Sequence, residues 1–252
     1  MNINQVWQNL LSDILKETIV RFPRGMITKE ILNYNSTIDM NHPFLNITER
    51  DLGNAFRYAE AAWILSGDNR VKTISPFSKM ISQFSDDGIR FFGSYGPKVV
   101  DQLSYVIDTL VKDDYSRQAV INIWREKPGP SKDVPCTCSL QFILRDEKIN
   151  CIATMRSSDA WLGWPYDAFN FTCISTYILL QIFKQHKKLY KLGTLSINAG
   201  SQHLYEKDWE KAKKCLEHLT PSVQEMPVWM FSDGQEFIDY LWERAHGELR
   251  TT

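Results

Sequence analysis

The sequence lacks any apolar run long enough to cross a bilayer. About 18 residues are needed, and the most apolar window, Ser175 to Phe183, is closed by Lys184. Met1 to Leu11 carries Asn and Gln where a secretory leader would carry a basic start and an apolar stretch. No membrane partner and no export are expected, and the cytoplasm is the expected location. Excess charge is missing too. A formal net charge of -1 over 252 residues gives no polyanion-binding surface, so no nucleic-acid partner is expected, although a local basic pocket for one phosphate is compatible with it. There is no CxxC. The five cysteines, Cys136, Cys138, Cys151, Cys173 and Cys215, are odd in number, and without a leader they are expected as reduced thiols. Cys136-Thr137-Cys138 has no second ligand pair nearby, so no metal is expected. No GxGxxG or Walker pattern, repeat or low-complexity segment occurs, which leaves Rossmann and P-loop readings without support.

What remains is an ordinary globular composition, 43% hydrophobic and 23% charged. The length suffices for a full core in one domain over residues 1–252. Helices are expected over Asn4 to Arg21, Thr48 to Leu65 (Thr48 capping, Asp51 three residues on), Gly96 to Lys112, Ala168 to His186 and Leu204 to His218. Gln118 to Trp124 alternates as a strand, with Ala119, Ile121 and Ile123 on one side. Lys127-Pro128-Gly129-Pro130-Ser131 reads as a loop. Ser139 to Leu144 and Ile149 to Met155 read as a hairpin around Arg145-Asp146-Glu147-Lys148, and Leu192 to Asn198 as a further strand. The mixture predicts an α/β (α+β) fold, a large mixed sheet packed with helices.

The most informative stretch is Pro135-Cys136 followed by Gln141-Phe142, then Arg156-Ser157-Ser158-Asp159 and Leu162-Gly163-Trp164-Pro165-Tyr166-Asp167. Upstream lie Arg24-Gly25, Glu60-Ala61-Ala62-Trp63-Ile64-Leu65-Ser66-Gly67-Asp68 and Ser94-Tyr95-Gly96; downstream lies His203-Leu204-Tyr205. In order and spacing these resemble the thymidylate synthase family from about Arg24 to Tyr205. The resemblance implies a twisted-sheet catalytic domain, a homodimer with shared active sites, and 5,10-methylenetetrahydrofolate as co-substrate.

It also implies roles. Cys136 is the expected nucleophile: a thiolate adding at pyrimidine C6 makes C5 nucleophilic, and Arg156 is placed to supply electropositive company. Cys138 is expected to be a core thiol. Arg24, Arg117 and Arg156 are expected on the 5'-phosphate, which guanidinium groups bind bidentately. Arg117 would come from the other subunit. The family usually has Ser-Arg-Arg where this chain has Ser116-Arg117-Gln118, so one phosphate contact is expected to be missing. Ser157, His203 and Tyr205 are further nucleotide contacts, with His203 and Tyr205 on the sugar. Glu60 is expected to manage water and protons, Tyr95 to assist proton removal from C5, and Asp159 with Gly163 to hold the folate.

Asp167 departs from the family, which has Asn here. An Asn amide accepts from uracil N3–H and donates to O4; cytosine inverts that pattern. A protonated carboxyl donates to N3 and accepts from the 4-amino group, and proton transfer gives the equivalent ion pair. Asp167 as the cap of a helix starting at Ala168 is the plainer alternative. Deoxycytidylate hydroxymethylases share this Asp, and the resemblance leans to that branch: dCMP, possibly CMP, as substrate, with water completing the reaction in place of hydride. Synthases shield the intermediate with a Trp after the Glu60-type helix and close with an apolar tail. Asn69 to Ser94 has no Trp, its nearest aromatics being Phe77 and Phe84, and the chain ends His246-Gly247-Glu248-Leu249-Arg250-Thr251-Thr252. Both features favour a wetter site. A CMP hydroxymethylase, a methylating enzyme of the same family, and a non-catalytic nucleotide-binding relative stay open as alternatives.

Overall fold

The computed structural model describes residues 2–125, 129–217 and 223–251. In chain order the elements are α1 (Ile3–Lys16), β1 (Val20–Arg21), β2 (Thr28–Asp39), α2 (Asn54–Leu65), α3 (Val71–Ile74), α4 (Gly96–Lys112), β3 (Val120–Asn122), β4 (Thr137–Arg145), β5 (Lys148–Met155), β6 (Ser158–Asp159), α5 (Trp164–His186), β7 (Lys191–Tyr205), α6 (Trp209–Leu216) and α7 (Gly234–Thr251). The expected α/β fold with a mixed sheet is what forms. Seven strands make one sheet in the order β1-β2-β7-β5-β4-β3, with β6 beside β7. β5 and β6 run parallel to β7, and the other pairs are antiparallel.

Several boundaries differ from expectation for identifiable reasons. α1 stops at Lys16 because Glu17 turns extended, and Val20–Arg21 pairs with β2. The helix expected from Thr48 begins only at Asn54. Thr48–Arg50 forms a separate turn ended by Asp51 in the left-handed region, φ 47. α5 starts four residues early, at Trp164 with Pro165 in its first turn. β7 continues to Tyr205, so the helix expected from Leu204 begins at Trp209; His218, like Lys127 and Pro128, lies outside the described residues. The hairpin turn is confirmed: Asp146 and Glu147 have φ 50 and 57, the geometry that matches strand twist in a two-residue loop.

One sheet face is apolar and covered. Ile38, Leu195, Ile197, Ile149, Cys151, Ala153, Leu140, Phe142 and Ile121 are buried on it, with α1, α4 and α5 packed against the sheet. Each large side chain buried there contributes about 1.5–3 kcal/mol. α5 is buried over most of its length, and Trp164 ties it to the sheet by donating from Nε1 to Ser36 Oγ at 2.9 Å. The other face carries two rows that follow the register across five strands. Asn35, Asn198, Thr154, Ser139 and Asn122 form one; Thr37, Ser196, Ile152, Gln141 and Val120 form the other. Asn35, Thr37, Thr154 and Asn122 are exposed.

Candidate active site

The site forms where α2, α4 and α5 meet the ends of β4, β5 and β7. Cys136 immediately precedes β4, whose pairing with β5 is irregular between Thr137 and Ser139. Thr137 turns fully inward, while Cys136 and Cys138 are both half-buried. Cys138 is therefore not the core thiol expected. It sits at the bulge, where its carbonyl accepts from Ile123 and Trp124 N–H at 2.9 and 3.0 Å.

Arg156, just past β5, is held by the backbone of the Cys136 segment. Its Nε donates to Pro135 O and its Nη2 to Val134 O, each at 3.0 Å. Nη2 also lies 3.7 Å from Cys136 Sγ, as does Ser157 Oγ. The guanidinium rests near the Trp124 ring, 6.0 Å from its centroid. One charged donor and one neutral hydroxyl thus point at the sulfur, the guanidinium being held there by backbone carbonyls. Burial nevertheless pushes the Cys136 thiol above the ordinary thiol range. Arg156 and Ser157 pull it back in part, while Asp167 and Asp159 push it up again. At rest it is a thiol.

Opposite stand two carboxyls. Glu60 lies on α2 between buried Ala59 and Ala61, and burial pushes it up to about 7 against one opposing hydrogen bond, from Asn170 Nδ2 to its Oε2 at 2.8 Å. Asp167 is in the first turn of α5. It is not the cap: Gly163 holds that position, and the Asp167 backbone N–H already donates to Gly163 O at 2.9 Å. Part of its surface stays open, yet burial first, and then the neighbouring Glu60 charge, raise its carboxyl well above the usual carboxylate range. Tyr95, at the start of α4, stacks on Phe171 at 6.5 Å and accepts from Thr137 Oγ1 at 3.0 Å. Burial, then Asp167 and Cys136, hold its hydroxyl well above the ordinary phenol range, so it stays a neutral hydroxyl.

Gly163 lies between the Asp167 carboxyl and the Asp159 backbone. A Cβ on it would stand 3.4 Å from Asp167 Oδ2 and 3.7 Å from Asp159 O. Asp159 Oδ1 accepts the N–H groups of Trp161 and Leu162 at 2.8 and 3.0 Å, a turn-holding role. Burial raises its carboxyl, with His203 opposing. His203 and Tyr205, two apart on β7, bring their rings to 5.1 Å edge to face. Arg24 reaches the same place. It sits in an exposed turn at φ 52 and donates from Nη2 to Tyr205 Oη at 3.2 Å.

Arg117 is not brought in. It is exposed ahead of β3, and what it offers its own chain is its carbonyl, which takes the Gln141 amide at 2.8 Å. Phe77 is spent elsewhere too. It packs on Trp242 and His246 of α7, at 5.9 and 5.2 Å, and Phe84 is exposed. The tail residues 246–251 belong to α7, which lies along α2. Sequence reasoning missed Thr137, Trp124 and Asn170. Asn170 had a signal, a lone amide in an apolar helix one turn after Asp167. Among the described residues no His, Cys, Asp and Glu group is arranged to hold a metal ion, and no helix is long and apolar enough to cross a membrane.

Residues 5–243 match the sequence family described as thymidylate synthase. A Bacillus phage SP01 protein described as deoxyuridylate hydroxymethyltransferase is 31% identical over 196 residues, which cover 69% of this chain and 50% of that protein. The chain thus spans half the length of that relative.

Proposed function

We propose, since the chain belongs to the thymidylate synthase family, that it transfers a one-carbon unit to C5 of a pyrimidine nucleotide, and that the reaction converts dCMP to 5-hydroxymethyl-dCMP. Cys136 sulfur adds to C6 and gives up its proton, C5 bonds to the methylene carbon of 5,10-methylenetetrahydrofolate and loses its own proton, both carbon–nitrogen bonds to the folate break with a proton returned to each nitrogen, and water adds its hydroxyl to the freed carbon as the sulfur leaves and regains a proton. Tetrahydrofolate is the other product. Because burial keeps the resting sulfur protonated, nucleotide binding and thiol ionisation are coupled. Arg156, held 3.7 Å away, stabilises the thiolate when it forms.

The observation that carries the base assignment is Asp167. Its carboxyl is raised well above the usual range by burial and then by Glu60; biased toward its proton in this way, it donates to cytosine N3 while accepting from the 4-amino group, or passes the proton to N3 as the equivalent carboxylate–cytosinium pair. Uracil has no free lone pair at N3 to take that proton, and the carboxylate form would meet uracil O4 with no proton between two acceptors; one buried mismatch of that kind costs about 1–3 kcal/mol. Glu60 handles the water and the proton traffic at N4 and the C5 substituent. Tyr95 relays the C5 proton. Arg24, Arg156, Ser157, His203 and Tyr205 hold phosphate and sugar, and Asp159 and Gly163 hold the folate. The hydroxymethyl outcome draws support from the name of the SP01 relative and from the absence of Trp in Asn69 to Ser94.

Arg117 completes the phosphate site from a second copy. Support comes from the exposed sheet face with its two neutral polar rows, at the β3 edge of which Arg117 stands exposed. A homodimer stacked on that face would cover it.

The SP01 relative's name specifies deoxyuridylate and favours a second reading, dUMP as substrate. Mass spectrometry of products from dCMP, CMP and dUMP, each with methylenetetrahydrofolate, separates the two. The first reading predicts a hydroxymethyl product from dCMP in large excess, with tetrahydrofolate. Preferred turnover of dUMP would overturn the base assignment, and a methyl product with dihydrofolate would overturn the hydration.

A further inference from the structure

We infer that Asn170 is a positioning residue that holds the Glu60 carboxyl in both of its protonation states by turning its amide. The inference rests on the functional reading above, in which Glu60 takes up and returns protons. Four polar side chains lie buried within α5. Thr172, Ser175 and Thr176 return their hydroxyls to the carbonyls four residues back, at 2.8, 2.9 and 3.0 Å, which satisfies them inside the helix. Asn170 does not. Its Nδ2 crosses to α2 and donates to Glu60 Oε2 at 2.8 Å. The residue is 2% exposed, and its Oδ1 is sealed from solvent and accepts from nothing.

An amide with one end on a carboxyl and the other end idle has two arrangements of nearly equal shape. With Glu60 ionised, Nδ2 donates to the carboxylate. With Glu60 protonated, a half-turn of the amide lets Oδ1 accept from the Glu60 hydroxyl, and Nδ2 takes the idle place. The idle atom is unpaired either way, so the turn leaves the rest of the core unchanged. Glu60 stands near the middle of its titration at neutral pH, so both arrangements are used there.

The surrounding charges agree with this. The Glu60 charge is felt by Tyr166 and Asp167 of α5, and at Glu60 itself burial is opposed by the Asn170 hydrogen bond. Tyr95 of α4 is tied to Asp167, and Arg244 of α7 lies over the Tyr58 ring of α2. Nothing among these contacts holds the Glu60 carboxyl in place except Asn170. A second tie fixes the two helices: Tyr166 Oη accepts from Gly53 N–H at 3.2 Å, just ahead of α2.

The test is the titration of Glu60, read by NMR on full-length protein carrying carboxyl-13C glutamate and assigned with Glu60→Gln. In Asn170→Leu, similar in size and without hydrogen bonds, Glu60 titrates higher than in wild type by less than about one pH unit, because both bonds are lost and the charge-assisted one to the carboxylate is the stronger. The kcat–pH profile moves the same way while KM for the nucleotide changes less. If the leucine variant does not fold, the wild-type protein carries the test: the side-chain 15N–1H resonances of Asn170 shift through the Glu60 midpoint as Nδ2 leaves the carboxylate. An unmoved Glu60 titration in the folded leucine variant, or Asn170 side-chain resonances that ignore the Glu60 titration, overturns the inference. Covalent adduct formation with 5-fluoro-dCMP and methylenetetrahydrofolate is run alongside on the wild type. No adduct with a moved titration sinks the functional reading and leaves the pairing; an adduct with an unmoved titration does the reverse.

Discussion

The thiol end and the carboxyl end of the site are both buried, yet they solve burial differently. At the thiol end an arginine is pinned by two backbone carbonyls, Pro135 O and Val134 O, so its charge waits beside Cys136 whatever the sulfur does. At the carboxyl end no cation is pinned. Glu60, held by the Asn170 amide, and Asp167 are partly open neighbours, and both are pushed toward their neutral forms. The comparison teaches that burial alone makes every acid here reluctant to ionise, and that a fixed cation is spent only where ionisation is the chemistry. At the other end the proposed reading needs a proton on the carboxyl, because only that form can donate to cytosine N3.

The sharpest way to break this contrast is at the thiol. Cys136→Ser should lower turnover by at least about 1,000-fold, a barrier about 4 kcal/mol higher, with nucleotide binding nearly intact by calorimetry. Cys138→Ser, at the bulge, serves as control and should stay near wild type. Equal losses in both would mean the nucleophile is misassigned. At the carboxyl end, Asp167→Asn should move preference toward dUMP by about 10–100-fold, since one or two buried hydrogen bonds reverse direction. Competition kinetics reads this, and an unchanged preference would leave Asp167 without a base-reading role.

Arg117 tests whether the thiol end is complete in one chain. Mixed Cys136→Ser and Arg117→Ala chains should regain about one quarter of wild-type activity at equal amounts, because half the dimers are hybrids with one intact site each. No recovery after proven subunit exchange, or a monomer by sedimentation, excludes the shared site.

The smallest effect is on stability. The folded pKa of Glu60, about 7, exceeds its ordinary value of 4.5. Its contribution is therefore fully present below pH 4.5 and is lost as pH rises through about 7. Wild-type Tm should fall across that window. Glu60→Gln should flatten the fall and gain about 1–3 kcal/mol at pH 8, allowing for the partly open side chain. A Tm–pH curve of Glu60→Gln parallel to wild type would show that the carboxyl is not held in a buried setting.

Much of this was legible in the sequence, and the failures are instructive. Ala119, Ile121 and Ile123 alternate cleanly, and all three are fully buried. α4 keeps its expected bounds because Gly96 and Pro97 open it and an extended Asp113 closes it. β2 was invisible: Asn33 breaks it at φ 54, Leu32 is exposed, and Asn35 and Thr37 face the polar side, so no apolar alternation survives. α7 was missed as a helix because its pattern reads only against α2, which it covers. At the site, motif residues such as Cys136, Arg156 and Glu60 were legible because the chemistry dictates their type. Asn170 and Thr137 were not, since each acts by touching another side chain, and sequence spacing does not reveal which helix lies opposite.

The most direct measurement is the 15N shift of N3 in bound [3-15N]dCMP. A carboxyl at Asp167 that donates to, or protonates, N3 should move that resonance well upfield of free dCMP in wild-type protein, and the displacement should vanish in Asp167→Asn. An N3 resonance at its free position in the wild-type complex would contradict the account.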